Sequence, residues 1–169
     1  MNQSKIVRLS ESGIMLAFAV VLSILKLVDL PYGGSITICS MLPIALIAYR
    51  YGTRWGLLTA FAFSLIQMLD GMKNLQYATS FGALMAIMLL DYIVAFMVLG
   101  LCGIFRNKIR SQSGAVTAGI VLACVLRYIC HVISGCTVWA GVSIPDAAAL
   151  WYSIVYNATY MVPETLVCV

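Results

Sequence analysis

Residues 115–140 form one long apolar run that holds only two side chains able to carry a positive charge, Arg127 and His131. About 20 apolar residues suffice for a helix to cross the hydrocarbon core of a bilayer. A run of this length therefore dictates a membrane-spanning helix. Five further runs lie at 13–28, 35–49, 56–69, 81–105 and 147–169, the second and third of them short. Composition agrees: 63% of the chain is apolar, 9% is charged, and the mean hydropathy is +1.02. A soluble domain carries about 25% charge, and a small domain cannot hide so much apolar surface from water. The reading is an all-α integral membrane protein: one domain over 1–169 with six transmembrane helices.

Breaks between the spans fall at "PYGG" (31–34), "RYGTR" (50–54), "DGMKN" (70–74), "RNKIRSQSG" (106–114) and "GVSIPD" (141–146). With alternating spans, Lys5, Arg8, Arg50, Arg54, Arg106, Lys108 and Arg110 share one side. Lys26 and Lys73 share the other with Asp29, Asp70 and Asp146. Basic residues concentrate on the cytoplasmic side of membrane proteins, so both termini are expected in the cytoplasm. The net charge of +4 thus belongs to loops and does not imply nucleic acid. The first apolar run lacks a small-residue cleavage site and reads as a retained helix. The last ends at "PETLVCV" with no polar flank, which reads as a C-terminus cut short.

Six cysteines lie in or beside apolar runs without a CxxC or zinc spacing, and read as small hydrophobes. No metal or cofactor is expected. A phosphate-binding G-x-x-x-x-G-K-[ST] loop is missing, as are the HExxH and GxSxG motifs, so catalysis by this chain has little support.

Ionisable groups inside a span are costly and are functional candidates by default. Here they are Asp91, Arg127, His131 and Glu164. Asp91 lies about 15 Å below the outer end of its span and Arg127 about 20 Å, at 1.5 Å per residue. One reading pairs Asp91 with Arg127 as a buried structural ion pair. The other is an outward-open pocket in which Asp91 faces a cationic or amidine-like ligand. The two are compatible. Arg127, His131, Gly135 and Trp139 follow one another at i, i+4, i+8 and i+12 and share a helix stripe. Trp139 is either an interfacial belt residue or a stacking plate for a planar ligand. Gly135 leaves a notch, for a ligand ring or for close helix packing. Tyr152, Tyr156 and Tyr160 repeat the spacing in the last span. Asn157 beside them needs hydrogen-bond partners, because lipid offers none. Glu164 is left either as a partner of Arg127 or near the inner surface.

"LLDYIVAF" (89–96), "RYICHVISGCTVW" (127–139) and "YSIVYNATYMVPE" (152–164) together resemble the thiamine-specific S-components, the ThiT family, of energy-coupling factor (ECF) transporters. The resemblance spans nearly the whole chain. It implies a multi-pass plasma-membrane subunit of a prokaryote that captures thiamine from outside. A T-component and two ATPase subunits would then drive import. It also implies ligand contacts from Asp91, Tyr92, His131, Gly135, Trp139, Tyr152 and Asn157, with Tyr77 as a loop contact. Gly13 and Ala17 would form the small-xxx-small face that packs on the T-component. The sequence departs from the family at Gly34 and Phe63, where tryptophans are familiar, and at Ile38, where a carboxylate is. Those departures keep open an S-component for a hydroxymethylpyrimidine or another vitamin. A non-transport intramembrane enzyme or assembly factor, using His131 with Asp91 for acid–base work, is the remaining alternative.

Overall fold

The computed structural model describes residues 3–30, 33–78, 80–141 and 146–169. Pro31 and Tyr32 of the first break and residues 142–145 of the fifth lie outside them. Six helical rods follow in chain order: α1 (Gln3–Ile24), α2 (Leu42–Tyr51), α3 (Thr53–Asp70), α4 (Phe81–Phe105), α5 (Gln112–Trp139) and α6 (Ala147–Cys168). Side-chain caps fix where the last three begin. Ser80 Oγ accepts from the Ala83 N–H at 3.1 Å, Ser111 Oγ from Gly114 at 3.2 Å, and Asp146 Oδ1 from Ala149 at 2.7 Å. Each cap satisfies an amide that a helix start leaves without a partner.

The all-α expectation holds with one addition. Residues 26–29 and 35–37, on either side of the expected break and read as the end of one helix and the start of the next, pair as the strands of an antiparallel hairpin instead. Its strands are β1 (Lys26–Asp29) and β2 (Ser35–Thr37), with Asp29 opposite Ser35 and Lys26 opposite Thr37. Two boundaries move with it. Helix α1 starts at Gln3, ten residues before the expected span. Helix α2 is only 10 residues long, about 15 Å, or half a bilayer. Non-helical backbone is tolerated in a membrane only where protein or a cavity covers it, and β2 faces both.

Helices α2 to α5 pack through glycines. A Cβ on Gly56 or Gly100 would strike the facing backbone or Cβ atoms of α2, α3 and α4. One on Gly103 would strike the Ala48 carbonyl, and one on Gly119 the Cys102 backbone. Small residues let membrane helices approach this closely. The α2–α3 link is a single residue, Gly52, with a φ of +88° that suits glycine. At the basic end, Glu11 of α1 pairs with Arg50 at 3.1 Å and accepts from the Tyr51 hydroxyl. There too, the Arg8 guanidinium lies 4.0 Å from the Trp55 ring.

Two rods change pitch at the functionally interesting level. Helix α4 widens to a π-helix over Met88–Val94 and then tightens to a 3₁₀-helix over Val98–Phe105. Helix α5 widens over Gly135–Trp139. Such π segments are rare and concentrate at functional sites.

Candidate functional site

A cavity of about 600 Å³ opens between the hairpin, the α3–α4 connection, α4, α5 and α6. Lys26, Asp29, Asp70 and Lys73 line its mouth, the groups that charge counting assigns to the outer side. All eight residues expected around a ligand line it: Tyr77, Asp91, Tyr92, His131, Gly135, Trp139, Tyr152 and Asn157.

Asp91 is the centre. Its Oδ1 lies 2.9 Å from His131 Nδ1, and its Oδ2 accepts from Ser134 Oγ at 2.7 Å and Trp139 Nε1 at 3.0 Å. The two π segments bring these partners together, since Asp91 lies in one and Trp139 in the other. An ionised carboxylate offers about four acceptor positions, so three donors leave one free. With an ionised Asp91 and a neutral imidazole, His131 Nδ1–H is the donor and Nε2 is an acceptor. That Nε2 is buried and has no partner among the described residues.

The expected pairing of Asp91 with Arg127 does not form. Among the described residues Arg127 makes no ion pair. Its guanidinium lies 4.1 Å from the Phe96 ring centre and Nη1 lies 3.0 Å from Met41 Sδ. His131, one turn nearer the mouth, takes the carboxylate in its place. Phe96 meets Phe63 edge-on at 5.6 Å, and Phe63 is fully buried. Arg127 therefore caps an aromatic stack beside the cavity floor. Arg127→Ala is expected to lower the melting temperature in detergent by removing that layer. A variant as stable as wild type would deny the stack its structural weight.

The other expected residues split by role. The Tyr77 and Trp139 rings lie 5.8 Å apart at the mouth. Tyr92 rests on Gly71, donating to its carbonyl at 3.1 Å and accepting from Asn74 at 3.1 Å. Tyr152 stacks on Tyr156 at 6.1 Å. Asn157 is buried and bridges helices. Its Nδ2 lies 2.8 Å from the Ser153 carbonyl and 3.3 Å from that of His131, and Oδ1 accepts from Tyr160 at 2.5 Å. Gly135 leaves room for Ser153, whose Oγ a Cβ there would strike.

Of the departures, Gly34 forms the near wall. Its N–H points to Tyr156 Oη at 3.3 Å, and a Cβ there would lie 2.7 Å from the Tyr160 ring. The space of a tryptophan is thus taken by tyrosines of α6. Ile38 does not line the cavity, while the carboxylate of Glu164 does.

Residues 9–169 match the family of thiamine transporter proteins designated Thia_YuaJ. The chain belongs to this family. It is 40% identical to the thiamine transporter ThiT of Bacillus subtilis, over 99% of this chain and 90% of that protein. It is 27% identical to the ThiT of Lacticaseibacillus paracasei, over 93% and 81% respectively. The solved ThiT of Listeria monocytogenes shares the fold, with a TM-score of 0.75 at 24% identity, covering 98% of this chain and 91% of that one. Among the described residues, four helices are long and apolar enough to cross a bilayer: α1, α3 with its 3₁₀ extension, α4 and α5. Like its bacterial relatives in the thiamine transporter family, the chain is a multi-pass plasma-membrane protein.

Sequence reasoning did not single out Ser134, Ser153 or Asn74. A serine in a span, or an asparagine in a break between spans such as Asn74, gives no signal by itself. Spacing offered one pointer: Ser134 lies three residues from His131 and shares its helix face.

Proposed function

We propose that this chain is the S-component of an ECF-type importer, and that it captures thiamine from outside in the cavity around Asp91. The observation that carries the reading is Asp91 itself, a carboxylate fixed by three donors with one acceptor position left. Charge supports it. With both carboxylates ionised and His131 neutral, Asp91 and Glu164 exceed Arg127 by one negative charge among these cavity groups, which suits a monocation such as the thiazolium. Cation–aromatic attraction to Trp139 and the tyrosines adds to this once water is excluded. The aminopyrimidine would lie against Trp139, donating its amino group to Asp91 or to the open Nε2 of His131. Tyr77 would close over the Trp139 side, and Tyr92, Gly135, Tyr152 and Asn157 would complete the walls.

Fluorescence tests this directly. The tryptophans are Trp55, Trp139 and Trp151. With Trp55→Phe and Trp151→Phe in place, thiamine should quench the remaining Trp139 emission saturably. No quenching and no calorimetric heat at about micromolar ligand would refute capture, given the standard that 1 μM corresponds to about 8 kcal/mol. Equal affinity for thiamine and its isolated hydroxymethylpyrimidine half would favour the alternative ligand.

ATP hydrolysis would belong to partner subunits, a T-component and two ATPases. Gly13 and Ala17 are both exposed on α1, and a Cβ at Gly13 would meet nothing within 4 Å. Helices approach most closely through such small residues. Gly13→Leu with Ala17→Leu should leave thiamine binding intact and abolish co-purification with the energising subunits. Retained co-purification would move the docking face elsewhere.

A further inference from the structure

Glu164 is a carboxylate only 3% exposed in a membrane helix. It lies seventeen residues into α6, about 26 Å below its outer end. Burying a charge there is costly unless it is fully hydrogen-bonded. Both its oxygens are engaged by one residue of the hairpin. The Thr37 N–H donates to Oε2 at 2.5 Å and the Thr37 hydroxyl to Oε1 at 2.5 Å. The Ser40 hydroxyl lies 2.7 Å from Thr37 Oγ1 and can donate to it in turn.

We infer that Glu164 is the positioning residue that roots the hairpin on α6, and that it thereby sets how long the ligand is retained. Strand β2 ends at Thr37, and beyond it the chain is turn until Leu42. The Thr37 amide at this strand end needs an acceptor at depth, where lipid offers none. Glu164 supplies the acceptor. Two further contacts run along the same line: Gly34 N–H to Tyr156 Oη at 3.3 Å, and Cys39 Sγ to the Val167 carbonyl at 3.0 Å. The hairpin is thus tied to α6 at residues 156 and 164, and the turn after it at residue 167. Its opposite edge is held more weakly. There Asp29 meets Lys73 at 3.8 Å with both side chains about half exposed, and Gly33 rests on Asn74. Exposed ion pairs of that kind contribute about 0–1 kcal/mol. The edge over the α3–α4 connection is therefore the one that parts, and the Glu164 root is the one that stays. Gly33, Gly34 and Ser35, which line the cavity, keep their place through that root.

The inference rests on thiamine capture for its kinetic readout, and amide exchange of the hairpin tests it without any ligand. Glu164→Gln, Thr37→Val, Thr37→Ser and the Glu164→Gln/Thr37→Val double variant are compared with wild type. Each is purified in detergent and followed by hydrogen–deuterium exchange and by stopped-flow release of thiamine. Glu164→Gln should speed both exchange at 35–37 and thiamine release about tenfold, the size of one lost charge-assisted bond. Thr37→Val should do so about threefold, Thr37→Ser should match wild type, and the double variant should be no worse than Glu164→Gln. Release should rise by the same factor for the neutral hydroxymethylpyrimidine. Unchanged exchange at 35–37 in both Glu164→Gln and Thr37→Val would overturn the proposal. So would a loss confined to the thiamine cation with Thr37→Val silent, which would make Glu164 a direct charge partner of the ligand. Exchange rising uniformly through α6 with release unchanged would make it a general stabiliser and overturn the proposal equally. Wild type that binds no thiamine but shows the exchange pattern would sink the ligand reading and leave the root standing.

Discussion

Asp91→Asn should weaken thiamine binding by about 10- to 100-fold, the value of a charge-assisted hydrogen bond at 1.5–3 kcal/mol. The side chain keeps its shape, so the fold should survive. What changes is the sign of one position: the amide nitrogen brings two donors into a place where His131, Ser134 and Trp139 already donate. One of the three must turn away. Trp139 is the least constrained, because its indole lies at the mouth beside Tyr77. The expected signature is therefore double: lower affinity by calorimetry, and weaker maximal quenching of Trp139 by the ligand that does bind. Asp91→Glu keeps the charge and should lose less. Wild-type affinity in Asp91→Asn would remove the carboxylate from the site.

Gly135→Ala should damage both stability and binding, although it adds one methyl group. The new Cβ would overlap Ser153 Oγ and lie 3.5 Å from Asn157 Nδ2. Helices α5 and α6 would have to separate where Asn157 and Ser153 join them. Ser153 donates to the Val132 carbonyl at 2.9 Å, so its hydroxyl cannot simply rotate away without losing a bond. Overpacking of this kind costs about 1–3 kcal/mol. Ser153→Ala on the Gly135→Ala background removes the struck oxygen and should recover part of the melting temperature. The ligand wall should recover with it, because Gly135, Ser153 and Asn157 all line the cavity. A Gly135→Ala protein with wild-type stability would mean that α5 and α6 are not packed this closely.

Much of the site was legible in the sequence, for a definite reason. Lipid punishes polar atoms, so Asp91, His131 and Asn157 stood out against their runs. Depth along the spans allowed Asp91, His131 and Arg127 to share one site, and spacing put His131, Gly135 and Trp139 on one helix stripe. The structure joins Asp91 to both His131 and Trp139 by hydrogen bonds. Arg127 misled, because charge complementarity alone pairs it with Asp91. Geometry gives the carboxylate to His131 and leaves the guanidinium on Phe96. The hairpin was not legible because "KLVD" continues an apolar run and "SIT" is too short to show alternation. Its partners on α6, Tyr156 and Glu164, are distant in sequence, and no local pattern reveals them. The π segments were equally silent, as helical periodicity reads α until side chains demand otherwise.

A structure determined with thiamine bound would show directly whether the Asp91 cavity is where thiamine is captured. Ligand density is expected between α5 and α6 at the outer end. Its planar pyrimidine should lie against Trp139, with a nitrogen within hydrogen-bond distance of Asp91 or His131 Nε2, and the cationic ring should lie in the same cavity. Thiamine seated elsewhere on the protein, or an Asp91 cavity filled only by water at saturating thiamine, would contradict it.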